Sequence, residues 1–570
     1  MAKRIVSMVL AALMTACLLA SCSNSSIPNE TPSAADGDTS VTAEIKNFTA
    51  FIAMPGTELP DDNRMLDKIA DKIGAKVDVK WLIGQTAAER IGVMVAGGDY
   101  PDFVCASDGT KSMLEAGAYI PLDEYFDQYP NIKDYLSPED WEKLRSEDGH
   151  IYIIPLFGIM RGEDRRTSHN DEAFWIQKRV LEWADYPTIK TVDQYFKVIS
   201  DYLAANPTTA DDQNNIGFEI CSDDWRYFCL ENPPQFVAGY PNDGCCVVDR
   251  ETLQAKTYDM LPEAKQYFDI LNVQYHAGLI DPETFTLSWD QYIAKLSSGR
   301  VCGIVDQGWD FLDAQNSLVS QAKDECTYIP LSITLDANVT GAYFAPQALD
   351  VSNGLGITTS CKDVEGALKF MNDMLDNELM VMRYWGEEGV DYEVDEDGIF
   401  YRNEEQRANQ KNVEWINQNF VSSGYSYFPH FEGVLQDGKN SILPNEQPDE
   451  FYAALSDVDK KVLDAYGFKV WTDFLDPVEK NTPWFPMWSY TNNWTADTPY
   501  GIANQKMADV KHEWLPKIIM SSDYEDAWNQ YVAVYNQECD VQAYETELTA
   551  EVQRRIATWE KGTGQKWSNS

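Results

Sequence analysis

The chain has 570 residues, 92 of them acidic and 45 basic, for a formal charge of −47. That balance argues against nucleic acid or an anionic membrane surface as a partner, since both are polyanions. A hydrophobic content of 44% with 12% aromatics excludes disorder as the main state, and the length suits roughly three to four average domains or two large lobes.

Lys3 and Arg4 open the chain, the apolar run Ile5 to Ala20 follows, and polar Ser23-Asn24-Ser25-Ser26 comes after Leu19-Ala20-Ser21-Cys22. A basic start, a short apolar stretch and small residues before a cut read as a secretory signal. The run is shorter than the ~20 residues of a bilayer span. Leu-Ala-Ser-Cys is similar to the bacterial lipobox. That resemblance implies a signal peptide over 1–21 and a Cys22 that becomes the acylated first residue; the plainer reading is a signal peptide in which Cys22 is incidental. Residues 22–45, rich in Ser, Thr, Asn, Asp, Pro and Ala, read as a flexible tether, with the folded body starting near Ile45.

Further along, short apolar runs at Phe51–Met54, Val77–Ile83, Phe103-Val104, Ile151–Pro155 and Val301–Val305 predict buried strands. Between them lie helix signals. Ser137-Pro138 reads as an N-cap with proline at the first helical position. Thr191 with Gln194, Ser288 with Gln291 and Ser522 with Glu525 read as capping boxes. Helical apolar spacing covers 262–277, with Gly278 as a stop, and 363–377. Strands alternating with helices imply an α/β fold with largely parallel sheets. Two strand–loop–helix units are candidates for a cleft: Val301 to Val305 followed by Asp306-Gln307-Gly308-Trp309-Asp310, and Phe103 to Cys105 followed by Ala106-Ser107-Asp108-Gly109. In open α/β sheets ligands sit beyond the carboxyl ends of the strands.

Nine cysteines follow Cys22, at 105, 221, 229, 245, 246, 302, 326, 361 and 539, an odd number that cannot all pair within one chain. Cys302 and Cys361 read as small core residues. Cys245-Cys246 are either two thiols or a strained vicinal bridge. Five histidines without zinc-ligand spacing, and no CxxC pair, argue against zinc.

The order of these segments resembles the extracellular solute-binding proteins of bacterial ABC transporters, the large lipoprotein branch of the family-1, sugar-binding type. The resemblance rests on Ala87 to Ala96 ending in Gly97-Gly98-Asp99-Tyr100-Pro101-Asp102, on Ala118 to Asp123, on Gly149 to Pro155 and on Trp175 to Tyr202, the last read as a helix pair. It continues through His276 to Glu283, residues 295–304, Thr358 to Leu375, Gly386 to Tyr392 and Trp514-Leu515-Pro516, and so covers about residues 50 to 560. It implies a two-lobed periplasmic-binding-protein-like fold of type II, with discontinuous lobes joined by a hinge and the ligand between them. By that analogy the first crossing falls near 155–172 and the return near 335–345. Lobe 1 is expected at 46–165 and 340–400, and lobe 2 with the C-terminal helices at 166–339 and 401–570.

With 17 Trp and 30 Tyr, the chain is well supplied with aromatic faces, which suit the C–H face of a sugar ring. The candidate ligand contacts are the loop aromatics Trp225 and Trp309, Asp306 and Gln307 beside the latter, Tyr343 after Gly341, Trp484 and Trp488 in an aromatic-rich turn, and Asp108 and Arg166 as hydroxyl partners. Some members of the family carry a calcium loop after the helix that enters lobe 2. Here the matching stretch, 206–215, lacks the glycines of that motif and has Asp211-Asp212 adjacent rather than alternating, so no cofactor is expected, with calcium in that loop as the alternative. The expected function is a monomeric, lipid-anchored protein on the outer face of the cell membrane that captures a neutral oligosaccharide for an ABC permease. The alternatives are binding of a peptide or other solute, presentation of the ligand to a sensor, and a secreted glycan-active enzyme. The chain shows no Gly-x-Ser-x-Gly elbow and no Walker loop, and among 92 acidic residues a carboxylate pair carries no information.

Overall fold

Two four-stranded sheets, each under its own hydrophobic core, organise the chain in a computed structural model that describes residues 45–568 apart from 147, 348 and 479–481. The expected signal peptide at 1–21, Cys22 and the tether up to residue 44 lie outside the described residues. In the first sheet the order is Leu355–Ile357, Phe103–Cys105, Lys46–Ile52, Ala75–Trp81. The three early strands are parallel and the late one is an antiparallel edge. In the second sheet the order is Tyr328–Leu331, Glu172–Gln177, Val301–Gln307, Ile216–Ile220, with only the last pair parallel. The second sheet is therefore mixed rather than largely parallel. Its strand Glu172–Gln177 arrives directly from the other lobe and runs against the strands built by helical crossovers.

The cores define the two lobes. The first runs from Phe48 to Ile159 and resumes from Leu355 to Phe428. The second runs from Ala173 to Tyr343 and resumes from Leu475 to Ile556. The first core ends at Ile159 and the second begins at Ala173, so the chain passes between them over 160–172. The return lies later, after Tyr343, and the first lobe extends past residue 400. The physical reason for the extension is Arg383, fully buried, which donates to the carbonyls of Tyr425, Phe428 and Pro429 and clamps that segment to lobe 1.

Local sequence explains most helices. Thr191 and Ser288 cap Val192–Ala205 and Trp289–Ser297 with complete capping boxes, and Ser137 caps Pro138–Lys143. The helices Pro262–His276 and Val364–Met374 follow the predicted spacing. The helix Tyr524–Glu538 starts one residue later than predicted, because the Asp523 carboxylate, not Ser522, accepts from the backbone N–H of Asp526. Two predicted elements differ. Ile151–Pro155 contributes one bridge, Ile154 to Leu355, and no strand. Trp175 to Gln177 end a strand, and the helix pair read over Trp175 to Tyr202 begins only at Lys178, as Lys178–Trp183 followed by Val192–Ala205. No helix among the described residues is long and apolar enough to cross a membrane.

Candidate functional site

The carboxyl ends of two lobe 2 strands build one aromatic wall. Val301–Gln307 ends in a turn at Gly308, where a Cβ would stand 2.3 Å from the carbonyl oxygen of His169. Only glycine fits there, and the turn sends Trp309 outward, 42% exposed, with its indole N–H donating to the Gln307 side chain. After the neighbouring strand Ile216–Ile220, Asp224 adopts φ 53° and Trp225 stands 50% exposed. The two indoles stack with centroids 5.8 Å apart and planes at 9°. Beneath them the Arg226 guanidinium lies 4.2 Å from the Trp225 ring and 4.6 Å from the Trp289 ring, and it donates to Asp310 at 2.7 Å. Asp223 accepts from the Trp289 N–H at 2.8 Å, which ties the loop to the next helix. Two large aromatic rings, each about half exposed, are thus held at the strand ends.

Lobe 1 supplies the opposing wall. Phe103–Cys105 ends at Ala106, then Ser107 takes φ 49° and Asp108 is exposed. Left-handed non-glycine residues concentrate at functional sites, and here one follows a strand end in each lobe. Partial burial pushes the Asp108 carboxyl up, and so does the charge of Asp224 facing it from lobe 2. Nearby, Lys111 of lobe 1 donates to Thr495 at 2.9 Å. A cavity of about 540 Å³ opens between the lobes, lined by Lys111, Tyr152 and Gln347 together with Phe485, Tyr490 and Asn493.

Trp225, Trp309 and Gln307 therefore gather at the strand ends of lobe 2, and Asp108 stands at a strand end of lobe 1 within reach of the charge of Asp224. The other expected contacts are placed elsewhere. Asp306 is fully buried in lobe 2 and accepts from the Tyr292 hydroxyl at 2.7 Å and the Cys229 thiol at 3.3 Å; burial pushes its carboxyl well up. Tyr343 is buried, donating to the Ile333 carbonyl at 2.6 Å with its ring against Phe236. Trp484 is buried against Trp567. Trp488 is half-buried at the start of the short helix Trp488–Thr491. In the loop 206–215, Thr209 donates to the Gln213 carbonyl, Asn215 donates to the Asn206 carbonyl, and Asp211 lies 3.9 Å from Lys323. Arg226 and Trp289 were not singled out from sequence. The Arg226–Asp310 pair spans 84 positions, so no local pattern announces it.

Arg166 belongs to the hinge. It pairs with Asp164, donates to the Ala345 carbonyl at 2.7 Å and lies 4.4 Å over the Phe344 ring, joining the first crossing to the second. Close by, burial together with the charges of Glu432 and Asp164 pushes Glu446 up to about 7, against which Arg166 acts only weakly. A carboxyl raised by folding holds its proton in the folded chain and not in the unfolded one, so stability falls as pH rises between those two pKa values. We expect thermal stability to fall from about pH 4.5 to about pH 7 by at most about 1.4 kcal/mol per pH unit from this group. Glu446→Gln removes that part of the slope. Melting curves across this range check it, and an unchanged slope in the variant refutes it.

Two α/β lobes around a cleft at their strand ends, joined by crossing segments, define a two-lobed binding protein of type II architecture. Residues 65–387, more than half of the chain, match the family model for bacterial extracellular solute-binding proteins, and the chain belongs to that family. The fructooligosaccharide ABC transporter substrate-binding protein FusA of Streptococcus pneumoniae serotype 4 is 28% identical over 256 residues, 41% of this chain and 45% of FusA. That match spans less than half of the relative's length. Lipoprotein LipO of Bacillus subtilis is 22% identical over 470 residues, 78% of this chain and 84% of LipO. Among solved structures, an EF-hand mutant of S. pneumoniae FusA in complex with fructo-nystose aligns with a TM-score of 0.63 at 18% identity, over 90% of this chain and 100% of that one.

Proposed function

We propose that this protein captures a carbohydrate, a neutral oligosaccharide, in the cleft between its lobes and delivers it to the membrane permease of an ABC importer. The observation that carries the reading is the exposed, parallel pair Trp225 and Trp309 at the strand ends facing Asp108. Indole faces stack on sugar C–H surfaces while Asp108, Asp224 and Gln307 offer acceptors to hydroxyls. The name of FusA, which assigns it fructooligosaccharides, supports the same class of ligand. The charge of −47 disfavours polyanionic sugars through long-range repulsion. In this reading the mature chain is a monomer that starts at an acylated Cys22 and is held outside the cell by that lipid. No covalent step and no cofactor take part; hinge closure around the ligand creates the surface the permease meets.

A thermal-shift screen of the protein against neutral oligosaccharides, uronates, monosaccharides and peptides tests it. A ligand at about 100 times its dissociation constant adds about 2.7 kcal/mol of stability. A shift with a neutral glycan series is expected. A shift with peptides and none with any sugar overturns the carbohydrate reading.

A further inference from the structure

Outside the cleft, a second set of reactive side chains converges in lobe 2. Asp243, Gly244, Cys245 and Cys246 form a turn in which Gly244 takes φ 76°, and its backbone is fixed at five points. The Gln235 side-chain oxygen accepts from the N–H groups of Asp243 and Gly244 at 3.0 and 2.9 Å, and its amide donates to the Cys246 carbonyl at 2.6 Å. The Tyr258 and Tyr544 hydroxyls donate to the carbonyls of Gly244 and Cys245 at 3.2 and 2.8 Å. With the main chain held in this way, the three side chains point at one place. A carboxylate oxygen of Asp243 and the sulfurs of Cys245 and Cys246 all lie within 4.8 Å of one another, and all three residues are buried. The Cys245 thiol donates to Asp243 at 3.0 Å, and the Met487 N–H orients the same carboxylate at 3.0–3.2 Å.

Two thiols and a carboxylate on a preformed turn are the donor set of a soft ion with filled d orbitals. Two sulfurs bound tetrahedrally at about 2.3 Å from one ion stand about 3.8 Å apart, inside the observed spread, so a metal requires little rearrangement of the turn. Asp243 and Cys246 also line a cavity of about 460 Å³ with Gln235, Tyr240 and Trp484, which gives an ion a route in and leaves room for a further ligand. Sugar capture uses none of these groups.

We propose that Asp243, Cys245 and Cys246 bind one thiophilic metal ion of the zinc class, with its fourth coordination position facing the adjoining cavity. Uptake releases the two thiol protons to solvent and involves no change of oxidation state. The test is titration of the reduced full-length protein with Cd²⁺ and Co²⁺ under anaerobic conditions, followed by X-ray absorption of the one-to-one cadmium complex. One equivalent is expected to give thiolate-to-metal charge-transfer absorption and a shell of two sulfurs plus lighter atoms. The double variant Cys245→Ala/Cys246→Ala is expected to lose the absorption, while Cys302→Ala, a buried cysteine of the same core, keeps it. Should the double variant not fold, the sulfur count in the unaltered protein decides. The proposal is overturned by no absorption at one equivalent, by a shell of no sulfur or of four, or by absorption undiminished in a folded double variant. It is equally overturned if the pair is isolated as a vicinal disulfide, two hydrogens lighter, and the reduced protein takes up no metal.

Discussion

Replacing Trp225 and Trp309 together by alanine is expected to weaken oligosaccharide binding at least ~30-fold, about 2 kcal/mol or more, with the melting temperature nearly unchanged. The two effects separate because the rings contribute to different things. Both indoles are about half exposed, so their removal opens no cavity in a packed core, and surface changes of that kind stay within about 0.5 kcal/mol. Their mutual stacking adds about 0.5–1.5 kcal/mol at most. A sugar ring laid on them loses its largest apolar surface, however, and the hydroxyl acceptors Asp108 and Gln307 then hold a ligand that lacks its floor. Each single variant should fall between the two extremes with non-additive losses, since either ring alone still offers a face. Trp484→Ala gives the contrast. That ring is buried against Trp567, so its loss costs about 3–5 kcal/mol of stability. Calorimetric titration with the glycan that gives the largest thermal shift, alongside melting curves, checks both halves. Full affinity in the double variant would move the ligand away from this wall, toward the cavity beside Tyr490.

The difference between Trp309 and Trp484 also marks how far sequence carries. Both stand in turn-rich stretches, Trp309 after an apolar run and Trp484 among aromatics, and neither context states whether the ring is covered. One follows a strand whose end is fixed by Gly308 against His169; the other is covered by Trp567, far along the chain. Burial of a loop aromatic is set by segments far away in sequence. Asp306 shows the same limit one residue from the wall: in a strand buried on both faces it points inward to Tyr292, while Gln307 reaches the cleft. What was legible is what local chemistry fixes. Thr191 with Gln194 and Ser288 with Gln291 satisfy their own helix ends and needed no tertiary information. The strands feeding the cleft, Phe103–Cys105 and Val301–Gln307, were visible as apolar runs between turns. Tyr328–Leu331 and Leu355–Ile357 were not, because Pro330 and Gly356 interrupt the apolar run that would announce a strand. Glu172–Gln177 was masked by running straight into a helix.

Arg383→Met is expected to destabilise lobe 1 by about 2–6 kcal/mol, about 1–3 for each carbonyl left without a donor. Arg383 is among the largest fully buried side chains and is held by main-chain carbonyls: Met374 and Pro429 at 3.2 and 2.7 Å from one terminal nitrogen, Tyr425 and Phe428 at 2.9 and 3.2 Å from the other. Burial pushes its guanidinium down from its ordinary value, yet four oriented dipoles hold the charge. Replacing a buried ion pair by apolar groups is sometimes neutral, because both charged partners leave together. Here the partners are backbone oxygens that no substitution removes: Tyr425 O still accepts from the Phe428 N–H and Phe428 O still meets the His430 ring, but methionine fills the volume and leaves the Met374 and Pro429 carbonyls without their donor. Lysine keeps the charge but cannot fork to two pairs of carbonyls, so Arg383→Lys should recover only part of the loss. The segment so held carries Tyr427, whose ring packs on Trp81 at 5.7 Å and on Phe157 at 5.4 Å beside the lobe 1 wall. Amides of residues 421–430 should therefore exchange first in the variant, before the strands of the same lobe, and ligand affinity should fall as that segment opens. Because two lobes need not unfold together, hydrogen exchange resolved along the chain is the measurement to make. Uniform exchange with an unchanged melting curve would show that the carbonyl cluster is satisfied without the guanidinium.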